Sequence, residues 1–298
     1  MIPEFPDFKK LELSDKQDIE GFTRKFPPYS DFNFANIWAW DTQHKMRVSQ
    51  LNGNLAVLFN CYVSGKHFYS FIGENKISET ASELIAFSKK SLSENEIRLI
   101  PEEIANALPP EFTVAPDRDS HDYIYSVAHL ANMNNWANTT GRGIRQFVKS
   151  HPGHIVKQSS IKEIPKDEYA RVFKRWATNK KIEDHFELNE YKAFERFMQV
   201  DDKNIEVISM YVNDTLAGFT SYEILPNHHA ISHFIKADTG CHRGINDALS
   251  WEEAKQLAAR GIKHCNWEQD LGIPGLRSSK ERYSPSHFMK KFVVGHKS

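Results

Sequence analysis

IEVISMYVNDTLAGFTSYEILPNHHAISHFIKADTGCHRGINDALSWEEAKQLAARGIKHCNW, running from Ile205 to Trp267, is the stretch whose order of elements decides the fold. Ile205 to Val212 reads as a strand, Asn213-Asp214 as a tight turn, and Leu216 to Leu225 as the strand that turns back along it. His229 to Ala237 follows as a third strand. Ile245 to Arg260 has the spacing of a helix and stops at Gly261, and Ile262 to Trp267 is a further strand. The same order stands upstream. Lys45 to Gln50 and Leu55 to Tyr62 read as strands around the hairpin signal Asn52-Gly53, and Lys66 to Gly73 as a third strand. Glu79 to Leu92 then reads as a helix and Ile97 to Ile100 as a short strand. Aromatic-rich, helix-like stretches precede both copies: Phe32 to Trp40 in the first, Tyr169 to Lys180 and Tyr191 to Val200 in the second.

Three antiparallel strands, a helix and one more strand are the order of the acetyltransferase-like (GNAT-like) fold. The expectation is therefore α+β, a tandem duplication of that unit with central mixed sheets. The 298 residues suit two domains. The turn and linker residues Asn132-Met-Asn-Asn-Trp-Ala-Asn138, Gly141, Gly143 and Pro152-Gly153 put the seam near them, giving units 1–140 and 141–298. Hydrophobic content of 40% with 12% aromatics supports packed cores. Lys plus Arg number 38 against 39 for Asp plus Glu, so the net charge of -1 sets up no global field for a polyanion. No apolar run reaches the length of a spanning helix, and Met1 to Asp7 lacks a signal pattern. Cys61, Cys241 and Cys265 are odd in number and far apart, which fits neither a disulfide framework nor a metal knuckle. The expectation is a cytoplasmic protein without a transmembrane segment.

Chemistry concentrates after the last central strand, in Asn266-Trp-Glu-Gln-Asp-Leu-Gly-Ile-Pro-Gly-Leu-Arg-Ser-Ser-Lys-Glu-Arg-Tyr-Ser-Pro285. Acids, amides and bases crowd a strand exit there, where a plain loop has little use for them. Acyl transfer needs a base for the incoming hydroxyl or amine, donors for the oxyanion and an acid for the leaving group. Period-two alternation puts Glu268 and Asp270 on one side, and either can serve as base. Arg277 and Lys280, three apart, would share a helix face and clamp a phosphate. Tyr283 would donate a proton or orient the substrate. His233 and Lys236, three apart in a strand, face opposite sides unless a bulge intervenes. Asp238 closes that strand as a helix cap. The helix beginning in Thr239-Gly-Cys-His-Arg-Gly-Ile-Asn246 has a phosphate-ready N-terminus, with Asn246 among the binding candidates. His228, His229, His233, His242 and His264 lack metal-ligand spacing, so no metal site is expected.

Three stretches resemble signatures of the phosphatidylglycerol lysyltransferase C-terminal-like family: Pro28-Tyr-Ser-Asp-Phe-Asn-Phe-Ala-Asn-Ile-Trp-Ala-Trp-Asp41, Asp117-Arg-Asp-Ser-His-Asp-Tyr-Ile-Tyr125, and His233-Phe-Ile-Lys-Ala-Asp238 together with Asn266 to Pro285. The likeness is to stand-alone members without a membrane-embedded domain. It implies two acetyltransferase-like halves and acyl or aminoacyl transfer. Relatives carry a Lys-Arg-Asn step where this chain has Thr140-Gly-Arg-Gly-Ile-Arg-Gln-Phe147, with Arg142 and Arg145 as partial replacements. Aminoacyl-tRNA is the donor the likeness suggests, with a lipid head group or small molecule as acceptor. Acyl-CoA is the alternative donor, although the Gln/Arg-x-x-Gly-x-Gly/Ala loop for its pyrophosphate is absent. A non-catalytic ligand-binding protein is the third reading. Tyr29 to Trp40 reads as packing, with roughly 1.5 kcal/mol for each buried aromatic ring. Asp117, Arg118, Asp119 and Asp122 read as an ion-pair network between the halves. The basic run Arg171 to Lys181, with Trp176, reads either as a tRNA patch or as a solvated helix face.

Overall fold

The computed structural model describes residues 1–61, 64–132, 138–180 and 184–297. The chain divides into two compact units: Met1–Asp122 with Gln269–Gly272 and Phe288–Ser298, and Tyr123–Glu268 with Ile273–His287. The seam therefore lies earlier than the expected 140/141, and the C-terminus returns to the first unit. The reason for the difference is physical. The Gly-containing stretch around Gly141 and Gly143 is no linker but a helix, as described below.

In the first unit β1 (Lys9–Lys10), α1 (Lys16–Thr23) and α2 (Phe34–Trp40) lead into β2 (Arg47–Leu51), β3 (Asn54–Asn60) and β4 (His67–Ile72). The Asn33 side chain caps α2 by accepting from the Asn36 N–H at 3.0 Å. Asn52 and Gly53 both have positive φ, the backbone a two-residue hairpin needs. The expected strand to Tyr62 ends at Asn60, and Tyr62 itself lies outside the described residues. Then come α3 (Ile77–Leu92), β5 (Glu96–Pro101), α4 (Glu102–Asn106) and β6 (Phe112–Pro116).

The second unit holds β7 (Asp122–Ser126) from Tyr123 on, then α5 (Val127–Ala131), α6 (Asn138–Ser150), β8 (Ile155–Ser160), α7 (Lys166–Lys180) and α8 (Asp184–Phe197). β9 (Ile205–Val212), β10 (Thr215–Leu225), β11 (His229–Ala237), α9 (Ile245–Ala259) and β12 (His264–Asn266) follow, then α10 (Pro274–Glu281). β13 (His287–Met289) carries the chain back, and β14 (Lys291–His296) completes the first unit.

Among the described residues, β1-β2-β3-β4 form one sheet of the first unit and β5-β14-β6 another. The strand after the helix thus leaves its sheet and pairs with β14 instead. In the second unit the order β7-β12-β11-β10-β9-β8 is mixed: β11 and β12 are parallel and the other pairs antiparallel. Adjacent residues of β10 and β11 show which helix covers which face. Phe219 and Phe234 pack on Phe194 of α8, whereas Thr220 and Ser232 bond Glu253 of α9. So α7 and α8 lie on one face and α9, with α5 and α6, on the other. The core on the α9 face includes Phe147, Met210, Tyr222, Leu249, Leu257 and Cys265. No helix of the described residues is long and apolar enough to cross a membrane.

Candidate functional site

β11 and β12 pair only from His229 with His264 to Ile231 with Asn266. β11 then continues to Ala237, while the chain leaves the sheet after Asn266, so the two strands part. At that point β11 carries a β-bulge. Ser221 pairs with Phe234 and Tyr222 with Ser232, which leaves His233 as the extra residue. The bulge restores His233 and Lys236 to one face, the condition under which both can serve one site.

The His233 side chain is fully buried between two carboxylates. Its Nε2 lies 3.4 Å from Glu223 Oε2, and its Nδ1 lies 3.4 Å from Glu268 Oε1. Phe197 packs on the ring, centroids 4.7 Å apart. Burial alone pushes the imidazole pKa down, but the two carboxylates outweigh it and lift it to about 9. The ring is an imidazolium at neutral pH. Glu268 remains 18% exposed, so of the two flanking carboxylates it is the one open to solvent.

Glu268 does not keep the alternation of a strand. Its φ is +59°, and its N–H donates to Asn266 Oδ1 at 2.7 Å. Lys280 donates to the carbonyl oxygens of Trp267 and Glu268, the latter at 3.1 Å. The lysine is thus a strut for this turn. The expected phosphate clamp of Arg277 and Lys280 is split accordingly: both lie on α10, but the Lys280 ammonium is spent on those carbonyls. Asp270 belongs to the first unit, where it is fully buried, accepts from Arg118 Nη1 at 3.1 Å and from Gly272 N–H at 2.9 Å. The positive φ at Glu268 is why the same-side expectation for Glu268 and Asp270 does not carry over.

Lys236 is 6% exposed. Its ammonium meets Glu190 Oε1 at 2.6 Å and sits 4.2 Å from the Trp176 ring centroid and 5.6 Å from that of Phe173. One face of the half-buried Trp176 ring is therefore taken by Lys236. The basic run on α7 is also partly compensated, with Arg171 on Asp167 at 3.1 Å and Arg175 on Asp238 at 3.8 Å. Lys181 lies outside the described residues. Asp238 Oδ1 accepts from Cys241 N–H at 3.2 Å and from Asn179 at 2.9 Å, so it closes the turn after β11; the N-cap of α9 is Gly244, and the expected cap by Asp238 is not formed. Asn246 stands in the first turn of α9, its Oδ1 buried without a hydrogen bond among the described residues. Tyr283 donates to Asp247 Oδ1 at 2.5 Å and accepts from Arg282 at 2.9 Å. Burial first, and then Asp247, raise the phenol's pKa, so it stays protonated in a packing network.

Sequence reasoning missed two carboxylates. Glu223 sits inside the apolar strand β10 and is 4% exposed. Glu253 of α9 is 2% exposed and accepts from Thr220 Oγ1, from Ser232 Oγ at 3.1 Å and from Cys265 Sγ at 3.7 Å. Burial lifts its carboxyl to about 7 against the pull of those donors and of His233. The available signal was periodicity: Leu249, Glu253 and Leu257 occupy one helical stripe, so a charge fell on a core position.

In the first unit a second buried cluster forms. The Lys291 ammonium reaches Asp31 and, at 2.7 Å, Asp122, with Ser30 and Gln269 at 3.4 and 3.3 Å. Ser30 donates through its N–H and Oγ to Asp122 at 2.8 and 2.6 Å. Burial raises the Asp31 carboxyl, while burial works against the ammonium and Asp122 and Asp31 outweigh it. Asp122 thus serves a network inside the first unit, and Arg118 pairs with Asp270 there, where the expectation had one network between the halves.

The family model for the C-terminal region of phosphatidylglycerol lysyltransferase matches residues 23–295. The chain belongs to this family. Residues from the stretches that resemble it meet in the Lys291 cluster: Ser30 and Asp31, Asp122, and Gln269. Among solved structures, a conserved protein of unknown function from Bacteroides thetaiotaomicron aligns over 100% of both chains at 23% identity and TM-score 0.78. The C-terminal domain of a protein described as a lysylphosphatidylglycerol synthetase, from Agrobacterium fabrum, aligns over 96% of this chain and 91% of its own at 12% identity and TM-score 0.62. L-PGS from Bacillus licheniformis aligns over 100% and 94% at 13% identity and TM-score 0.57. At these identities the likeness carries the fold, a tandem GNAT-like α+β arrangement. No curated protein matches the sequence.

Proposed function

We propose that this protein is an acyltransferase of the aminoacyl-transfer type, with the working site of the second unit where β11 and β12 part. One observation supports the reading above the others: a charged histidine, buried at a β-bulge, holds the partly exposed carboxylate of Glu268 at the mouth of that divergence. Family membership, in a family named for lysyl transfer to phosphatidylglycerol, supports the same class of reaction.

Glu268 takes the proton of an acceptor hydroxyl or amine as that atom attacks the acyl carbon of an activated ester. The ester C–O bond breaks, and the departing oxygen takes up the proton that Glu268 carried, so no further reactant is needed. His233 is a positioning residue. It touches Glu268 and Glu223, holds the base in place, and its side chain meets no solvent. Lys236, on the same face, is paired with Glu190 and is a positioning residue of the site's wall. The acceptor is a lipid head group or small molecule with a nucleophilic hydroxyl or amine, and the donor is an aminoacyl ester at the end of an RNA.

The test is transfer of labelled amino acid from charged tRNA to phosphatidylglycerol in detergent. Glu268→Gln should lower turnover by about 10²- to 10⁴-fold with an unchanged circular dichroism spectrum. Unchanged turnover in this variant would remove Glu268 from the mechanism.

A further inference from the structure

We infer that the groove between α6 and α9 is the surface on which the donor RNA lays its phosphate backbone, an inference that rests on the aminoacyl-ester reading above. The groove, about 470 Å³, is lined by Ile144, Arg145, Val148, Lys149 and His154 on one side and by Trp251, Glu252 and Lys255 on the other. It lies in the α9 layer, on the face of the sheet away from His233 and Lys236.

Charge selects the occupant. Arg142, Arg145 and Lys149 are exposed on α6, and among the described residues none of the three is in an ion pair. From Arg142 to Lys149 the helix rises about 10 Å, or roughly three phosphate steps of a strand. Lys255 is balanced by Glu252 at 2.8 Å, so the surplus charge belongs to α6.

The aromatic floor argues against a bilayer. The Trp251 indole N–H donates to Ala131 O at 2.9 Å, and its ring is capped by the Lys255 ammonium 3.9 Å from the centroid. A membrane-anchoring face presents bare aromatic and leucine side chains that can enter the acyl boundary, and this ring is neither bare nor able to turn outward. A narrow polyanion needs only the cationic rim.

The groove also leads toward the working strand. His154 Nδ1 lies 2.7 Å from His151 O, and His151 Nε2 lies 2.8 Å from His242 Nδ1. His242 belongs to the turn between β11 and α9. These bonds tie the end of α6 to the turn that follows β11, the strand that carries His233.

The experiment compares the full chain with its Arg145→Glu/Lys149→Glu variant, both sites being exposed. Binding of uncharged bulk tRNA is followed by fluorescence anisotropy from about 50 to about 200 mM salt. The variant should bind at least tenfold more weakly, and its log-affinity against log-salt slope should fall by about two. Lys89→Glu/Lys90→Glu, on α3, serves as the charge-matched control and should change neither. Equal tRNA binding by the groove variant and the wild type overturns the inference, as does a wild type that binds no tRNA. Loss of binding to anionic phosphatidylglycerol vesicles with tRNA binding intact overturns it too, and places a membrane there. Transfer from a short aminoacyl ester of adenosine separates the two readings. If wild type and variant use the short ester equally and only the variant loses charged tRNA, both stand. If neither donor works with the wild type, the transferase reading fails by itself.

Discussion

Ser232 and His233 are neighbours in sequence, yet they serve carboxylates on opposite faces of one strand. Ser232 bonds Glu253, and His233 lies between Glu223 and Glu268. Both titrating groups have pKa values raised on folding, His233 to about 9 and Glu253 to about 7. A raised value means that the folded state binds the proton more tightly than the unfolded state. The stability that Glu253 contributes is present below its unfolded value and lost as pH rises through about 7. That of His233 is complete below about 6.5 and lost through about 9. Unfolding free energy, measured by urea titration, should therefore decline in two overlapping stages, from about pH 4.5 to 7 and from about pH 6.5 to 9. Glu253→Gln should remove the earlier stage, and Glu223→Gln should move the later one to lower pH. A single decline in wild type that neither substitution alters would contradict this assignment.

At the scale of elements, the hairpin and helix from Ile205 to Ala259 could be read from periodicity and turn residues, because each is bounded by local chemistry. The positive φ values at Asn213 and Asp214 are what their residue types favour. α6 could not be read in this way. Gly141 and Gly143 lower helix propensity, and they look like a linker until their use is seen. At Gly244, φ is +86°, and a Cβ there would lie 2.1 Å from the Gly143 carbonyl oxygen. The two backbones touch, a contact that no local pattern announces. Gly244→Ala should accordingly cost more than about 1 kcal/mol, through both strain and the unyielding carbonyl, seen as a lower urea midpoint. Likewise, Glu268 leaves the strand with left-handed backbone, so alternation could not tell that Asp270 would bond Arg118. The bulge was visible only as a condition: His233 and Lys236 needed one to share a face.

At the scale of the whole molecule, the duplicated order of strands and helix was legible, and the ownership of the last strand was not. β14 lies between β5 and β6, and its Lys291 meets Asp31 and Asp122. Such pairings depend on residues far apart in the chain, which periodicity does not see. Lys291→Met should destabilise the first unit by about 3–5 kcal/mol, because it leaves two buried carboxylates without a cation. The neighbouring Lys290→Met removes only a surface pair with Glu102 and should cost less than about 1 kcal/mol. Amide exchange in β5 and β6, with thermal denaturation, would compare the two. The position of β14 also bears on synthesis. Lys291 follows Asp122 by 169 residues. At roughly 5–20 residues per second a ribosome needs on the order of ten to thirty seconds to close that gap. Until β14 has been made, the nascent amino-terminal part holds its acids unneutralised and a sheet without its middle strand, a ready client for chaperones.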